Sequence, residues 1–300
     1  MCSAAAATSV TKSNKYNYET LKVSNLTNYV FLVEINRPES RNAMNVQFQE
    51  DMRACFSELN NDPDCRSVVL SGSGKHFSSG LHYFLGFLLI THSCLDLSDL
   101  SFFSLNDLEP GRKSFALGKM IRAFQESFTV IEKCTKPVIS AVHGACIGGG
   151  VDMVCASDVR YCSMDAWFQI KEVDVGLAAD VGTLQRLPKI VGNESLVREL
   201  CFTGRKFLPD EAKEFGFVSK IFPDKEKLLA GAFELANVIA SKSPIAVQGT
   251  KLGLIYARDH SVTDSLNQIA LLNQSLLQSE DLIKAATAIL KKQKPVFSKL

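Results

Sequence analysis

What this chain has little of narrows its possibilities first. There is no excess of either charge: 33 basic against 32 acidic residues leave a formal net charge of +1. That balance argues against a nucleic-acid footprint and against electrostatic binding to an anionic membrane. Long apolar runs are missing as well. The most hydrophobic window, Leu81 to Ile90, falls well short of the roughly 20 residues a bilayer-spanning helix needs. No Cys-x-x-Cys pair and no secretory leader occur, so the nine cysteines read as reduced, mostly structural thiols. His76, His82, His92, His143 and His260 lack the spacing of metal ligands. The nucleophile elbow Gly-x-Ser-x-Gly and the dinucleotide loop Gly-x-Gly-x-x-Gly are both absent. The first fifteen residues hold Lys12 and Lys15 but no arginine, a poor match to a transit peptide.

What is present is a chain of 300 residues, 46 % apolar and 22 % charged, ample for a large core. Residues 1–16 read as a polar, disordered tail. Residues 17–224 read as an α/β body. Tyr18 to Ile35 alternates as a β-hairpin does around Asn25-Leu26-Thr27-Asn28. A helix is expected over 46–60, a buried strand over 67–71, a strong amphipathic helix over 115–133 and a strand over 138–142. Further strands are expected at 158–162 and 167–170, and short helices at 195–200 and 209–215. From 225 to 300 only helical patterns remain, read as an appendage through which copies of the chain associate.

Chemistry concentrates between Val138 and Asp180. A β-branched strand runs into Gly148-Gly149-Gly150, and the glycines end on an acid, Asp152. Glu172 and Asp180 follow within one apolar segment. The plain reading of the glycines is a hinge; that of Asp152 is a carboxylate favouring a helix N-terminus, worth ~0.5 kcal/mol. Glu172 and Asp180 would then be solvated, or paired with Lys171 or Arg186. Three acids bordering one glycine-rich turn among apolar neighbours point elsewhere, to carboxyls with raised pKa values that exchange protons near neutrality. A second loop, Ser78-Ser79-Gly80, offers a further amide, so that two N–H groups could hold one developing oxyanion. His143, in the apolar strand region, reads as structural because no nucleophile accompanies it.

These residues resemble the crotonase (enoyl-CoA hydratase/isomerase) superfamily over roughly residues 18–297. The general likeness is carried by Asn36-Arg37-Pro38, Arg41-Asn42-Ala43-Met44, Phe77-Ser78-Ser79-Gly80 and His143 through Gly150. Gly148-Gly149-Gly150-Val151-Asp152 and Lys171 through Asp180, with Gly182 through Pro188, resemble the dienoyl-CoA isomerase branch. Hydratases of the superfamily typically carry Glu at the position of Asp152 and no acid at that of Asp180. The resemblance implies an α/β fold, a spiral of ββα turns with C-terminal helices that build trimers and hexamers. It implies isomerisation of a 3,5-dienoyl-CoA to its 2,4-isomer in β-oxidation, with no cofactor and no metal, the coenzyme A thioester being the substrate. Asp152, Glu172 and Asp180 would be the catalytic acids. Ser79, Gly80, Gly149 and Gly150 would form the oxyanion and substrate site, and Arg41, Asn42 and Ala43 would contact the CoA nucleotide. Two readings compete: a 2-enoyl-CoA hydratase, and a catalytically impaired acyl-CoA binder.

One departure bears on activity. The family pattern continues as Gly-x-Asp-Leu, whereas here Gly80-Leu81 meets His82-Tyr83. Deleting residues 82–95 restores Gly-Leu-Asp-Leu, so 82–95 reads as an insertion beside the acyl pocket. The terminal Ser298-Lys299-Leu300 matches a signal for the peroxisomal import receptor. Location in the peroxisome is expected, with the mitochondrion left open.

Overall fold

The computed structural model describes residues 15–27, 29–80 and 108–300. The expected insertion at 82–95 therefore lies outside the described residues. Nine strands are described: β1 (Leu21–Thr27), β2 (Val30–Ile35), β3 (Ser67–Gly72), β4 (Val138–Val142), β5 (Ala145–Ile147), β6 (Val159–Ser163), β7 (Trp167–Gln169), β8 (Lys206–Phe207) and β9 (Lys220–Phe222). The described helices, numbered in chain order, begin with α1 (Val46–Asn61), α2 (Pro110–Lys133), α3 (Gly149–Cys155), α4 (Thr183–Val191) and α5 (Glu194–Thr203). They continue with α6 (Pro209–Glu214), α7 (Lys225–Ala240), α8 (Pro244–Asp259), α9 (Val262–Leu276) and α10 (Glu280–Leu290).

Two sheets form, one of six strands in the order β1-β2-β3-β4-β6-β9 and one of three in the order β5-β7-β8. The antiparallel hairpin β1–β2 starts the large sheet, and every later neighbour in it is parallel. Successive passes give one strand to each sheet. β4 lies in the large sheet and β5 in the small one; β6 and β7 repeat the step. The pass that begins with β3 reaches the small sheet through a parallel bridge from Ser78 to Cys146. This stepping is the ββα spiral.

A parallel sheet covered on both faces needs apolar residues at consecutive positions. β3 and β4 supply them: Val68 and Leu70 face α1 and α2, where Phe48, Met52, Phe56, Phe124 and Phe128 are buried. Val69, Ile139 and Ala141 face the other way, onto Leu228, Ala232, Ala236 and Ala240 of α7. Small residues along α7 let it lie close to the sheet; a Cβ on Gly231 would stand 2.2 Å from the Phe222 ring. α7 is therefore a layer of the core, and the helices beyond it, α8 to α10, lie outside the two sheets. No described helix is long and apolar enough to cross a membrane.

Local chemistry moves several boundaries. α2 starts at Pro110 rather than 115 because the Glu109 carboxylate caps it, accepting from the amides of Gly111 and Arg112. Order reaches back into the expected tail, since Tyr16 is buried and its hydroxyl donates to Asp62 Oδ2 at 2.5 Å. β1 runs through Asn25 to Thr27 with an irregular register there. At the other end, Arg66 Nη2 donates to the carbonyls of Phe297 and Ser298, and Lys284 Nζ bonds Ser298 Oγ. Lys299 pairs with Asp64 at 2.5 Å.

Candidate active site

The first wall of the site is a pair of loops zipped together by their backbones. After the 3-10 turn Pro38–Ser40, Arg41 and Asn42 both take the left-handed conformation, φ +56°. Asn42 is fully buried. Its Oδ1 accepts from the Arg37 amide at 2.9 Å, and its Nδ2 donates to the Ser73 and His76 carbonyls at 2.9 and 2.8 Å. Ser78 Oγ donates to the Asn42 carbonyl at 2.8 Å, and the Ser79 amide donates to the Arg41 carbonyl at 3.0 Å. The Gly80 carbonyl accepts from the Met44 amide, and the Gly80 amide donates to Ser78 Oγ at 3.1 Å.

The Ser79 and Gly80 amides thus both have acceptors within the protein. Of the expected CoA contacts only Arg41 is exposed. Asn42 spends its side chain on the loop, and Ala43 is buried with its carbonyl accepting from Arg37 Nη1 at 2.5 Å.

The second wall is the glycine turn. The Ser78 amide donates to the Ala145 carbonyl and the Ile147 amide to the Ser78 carbonyl, at 3.0 and 3.1 Å, which locks the first loop to β5. Gly148 turns at φ +50°, and a Cβ there would come within 2.9 Å of Glu172 Oε1; only glycine fits. Gly149 and Gly150 are buried in the first turn of α3, and neither amide has an acceptor among the described residues. Two adjacent, dehydrated N–H groups at a helix start have the chemistry to receive an anionic oxygen.

All three acids meet beside these amides. Asp152, in the first turn of α3, is fully buried. Its Oδ1 accepts from the Thr183 amide at 2.5 Å, while Oδ2 has no partner among the described residues. Burial pushes its pKa up to about 6, against the bond from Thr183 and with help from the charge of Asp180. Glu172 opens the 3-10 turn Glu172–Val175, is 7 % exposed, and leaves Oε2 without a partner among the described residues. Burial, then the charge of Asp152, raises it to about 7. Asp180 is half-buried on the segment before α4, and burial raises its pKa too. Burial is thus the first cause of the shift in all three carboxyls, and the charges of neighbouring acids add to it at Asp152 and Glu172.

His143 is buried, bonded through Nε2 to the Gly74 carbonyl at 3.2 Å, with its pKa driven down to about 4 by burial. It is a neutral structural residue. Cys55, Cys65, Cys134, Cys146, Cys155, Cys162 and Cys201 are free and buried; Cys2 and Cys94 lie outside the described residues. Gln125, which donates to the Asp180 carbonyl, and Thr129 and Glu132, which accept from Arg186, carry no signal in the sequence beyond the polar face of an amphipathic helix.

The enoyl-CoA hydratase/isomerase family profile matches residues 25–84 and 107–299. The chain is 51 % identical over 292 residues to the mitochondrial Δ(3,5)-Δ(2,4)-dienoyl-CoA isomerase of Rattus norvegicus, covering 95 % of this chain and 84 % of the relative. It is 44 % identical over 286 residues to the peroxisomal Δ(3,5)-Δ(2,4)-dienoyl-CoA isomerase of Arabidopsis thaliana, covering 95 % of this chain and 99 % of the relative. The crystal structure of a probable enoyl-CoA hydratase/isomerase from Mycobacterium abscessus superposes with a TM-score of 0.78 at 27 % identity, covering 93 % of this chain and 98 % of that one. A spiral of two sheets and matches spanning nearly the whole chain agree: this protein belongs to the enoyl-CoA hydratase/isomerase family.

Proposed function

We propose that this protein is an isomerase that converts a 3,5-dienoyl-CoA to the conjugated 2,4-dienoyl-CoA in fatty-acid β-oxidation. The observation that carries the reading is the set of three carboxyls, Asp152, Glu172 and Asp180, raised toward neutrality around two buried amides that have no acceptor among the described residues. A proton leaves C2, its bonding pair becomes C2=C3, the C3=C4 pair moves to C4=C5, and the C5=C6 pair takes a proton at C6. Atoms and electrons balance without a redox partner, so the chemistry asks for no cofactor and no metal. The intermediate is a dienolate whose thioester oxygen the Gly149 and Gly150 amides would hold.

C2 and C6 lie four bonds apart, so one carboxyl does not serve both. Glu172 Oε1 stands against Gly148, next to those amides. C2 is bonded to the carbonyl they hold, so Glu172 is the base at C2. Asp180, set apart on the segment before α4, is the acid at C6. Asp152 raises Glu172 further through its charge. A base at about 7 is half ionised near neutrality and returns its proton readily. Arg41 is exposed on the rim and suits the CoA phosphates.

Leu266, Leu271, Ile283 and Leu290 on α9 and α10 are exposed, an apolar surface suited to contact between copies, as in a homotrimer or a hexamer. Ser298-Lys299-Leu300 would address an import receptor, and the relatives include peroxisomal and mitochondrial proteins. The test is growth of the conjugated diene's ultraviolet absorbance when purified protein meets a 3,5-dienoyl-CoA. Hydration of 2-enoyl-CoA without that signal would assign the site to a hydratase instead, and CoA-ester binding without either reaction would make it a binder.

A further inference from the structure

We propose that one face of α2, formed by Gln125, Thr129 and Glu132, is a positioning element that holds Asp180 at the reacting carbon by gripping the segment Asp180–Arg186 at both ends. The inference rests on the isomerase reading above. The three residues stand at i, i+4 and i+7, which places them in one line along the helix.

The first grip is Gln125 Nε2 donating to the Asp180 carbonyl at 2.6 Å. The second is Arg186, whose Nε donates to Glu132 Oε2 at 2.8 Å and whose Nη2 donates to Thr129 Oγ1 at 3.1 Å. Between them the Thr183 amide donates to Asp152 Oδ1, so the segment is held from α2 on one side and from the acid site on the other. Gly182 makes the return possible. Its φ is +144°, and a Cβ there would stand 2.1 Å from Arg186 Nη1, so the guanidinium folds back over the chain only because no side chain is present.

No side chain among the described residues donates to the Asp180 carboxyl. Its placement is therefore inherited from its backbone, and the backbone is what α2 holds. Glu132 is itself fixed: Arg258 on α8 meets it with both terminal nitrogens, at 2.7 and 3.0 Å. The two arginines keep Glu132 ionised against the effect of burial. A plain ion-pair network joining three helices would account for Glu132, Arg186 and Arg258. It would not account for Gln125, an uncharged residue whose bond ends on the acid's own carbonyl. A displacement of about 1 Å at a reacting group costs up to ~100-fold in rate, which is the scale on which such a grip acts.

The experiment compares the full chain with Gln125→Leu and Thr129→Val in two readouts: kcat and KM on a 3,5-dienoyl-CoA, and the titration of Asp180 followed by 13C NMR of aspartate-labelled protein, assigned with Asp180→Asn. Gln125→Leu is expected to lower kcat about ten- to a hundredfold with KM within about twofold. Asp180 should then titrate closer to an ordinary carboxylate while Asp152 stays where it is. Thr129→Val should shift both readouts in the same direction by less. Unchanged kcat and unchanged Asp180 titration in a folded Gln125→Leu protein would overturn the proposal. So would a loss of kcat in which Asp152 and Asp180 shift together, which marks general loosening. If Gln125→Leu does not fold, Thr129→Val decides on the same criteria. If the unaltered protein turns over no dienoyl-CoA, the isomerase reading fails by itself, and the titrations still decide whether α2 positions Asp180.

Discussion

In an Asp180→Asn variant the carboxyl assigned to C6 becomes an amide of the same size that has no proton to deliver. Nothing else in the site loses a bond, because no described side chain is bonded to that carboxyl and the backbone bond from Gln125 to residue 180 survives. The loss should therefore equal one general-acid contribution, ~10²- to 10⁴-fold in kcat, or roughly 2.7–5.4 kcal/mol of barrier. KM should stay within about threefold, since the amides at Gly149 and Gly150 and the exposed Arg41 are untouched. The assay is ultraviolet absorbance of the 2,4-diene, with a parallel incubation in D₂O. Exchange at C2 in recovered substrate should persist, because Glu172 and the amides remain. A variant with more than about a third of the original kcat, or one that loses C2 exchange together with isomerisation, refutes the division of labour between the two acids.

Asp152→Asn separates stability from activity. The native carboxyl sits near 6 instead of the ordinary 3.8, so the folded state binds this proton more tightly than the unfolded chain does. The cost of carrying the charge is absent below about pH 4 and complete above about pH 7, on the order of 3 kcal/mol. Asn keeps an oxygen for the Thr183 amide without the charge, so the urea midpoint should rise at pH 8 and stay level at pH 4, while the kcat/KM acid limb falls below its expected midpoint near 7. A lower midpoint at pH 8 would count against this account. At the rim, Asn42→Ala strands the Arg37 amide and two carbonyls and should cost about 2–3 kcal/mol in denaturant melts, whereas Arg41→Ala should raise KM for the CoA thioester and leave the melt unchanged. The reverse pattern would return the CoA contact to Asn42.

Much of this was readable along the chain because it is local. The runs 67–71 and 138–142 carry apolar residues at consecutive positions, with only Ser67, Ser71 and Ser140 polar, as a doubly covered parallel strand requires, and α1 carries its apolar stripe and Asn45 cap in sequence. Asp152, Glu172 and Asp180 stood out by crowding a glycine turn. What escaped depends on partners far away. β5, β8 and β9 are two or three residues long, below any detectable period, and exist because neighbouring strands pair with them. α4 hides behind Gly182 and contains Pro188, two residues that normally end helices. Whether the Ser79 amide is free is decided by the Arg41 carbonyl opposite it, and nothing in Phe77-Ser78-Ser79-Gly80 reveals that. Gln125 and Glu132 looked like an ordinary wet helix face until Asp180 and Arg186 came to rest on them.

The amides of Gly149 and Gly150, without an acceptor among the described residues, have a consequence for how such a site changes over generations. Main-chain donors are encoded by no single codon's side chain, so exchanging the acids around them one at a time leaves the capacity to stabilise an enolate in place. An altered descendant keeps a trace of thioester chemistry on which selection acts. The reaction is rewritten in the carboxyls, while the common step is carried by a bend in the backbone.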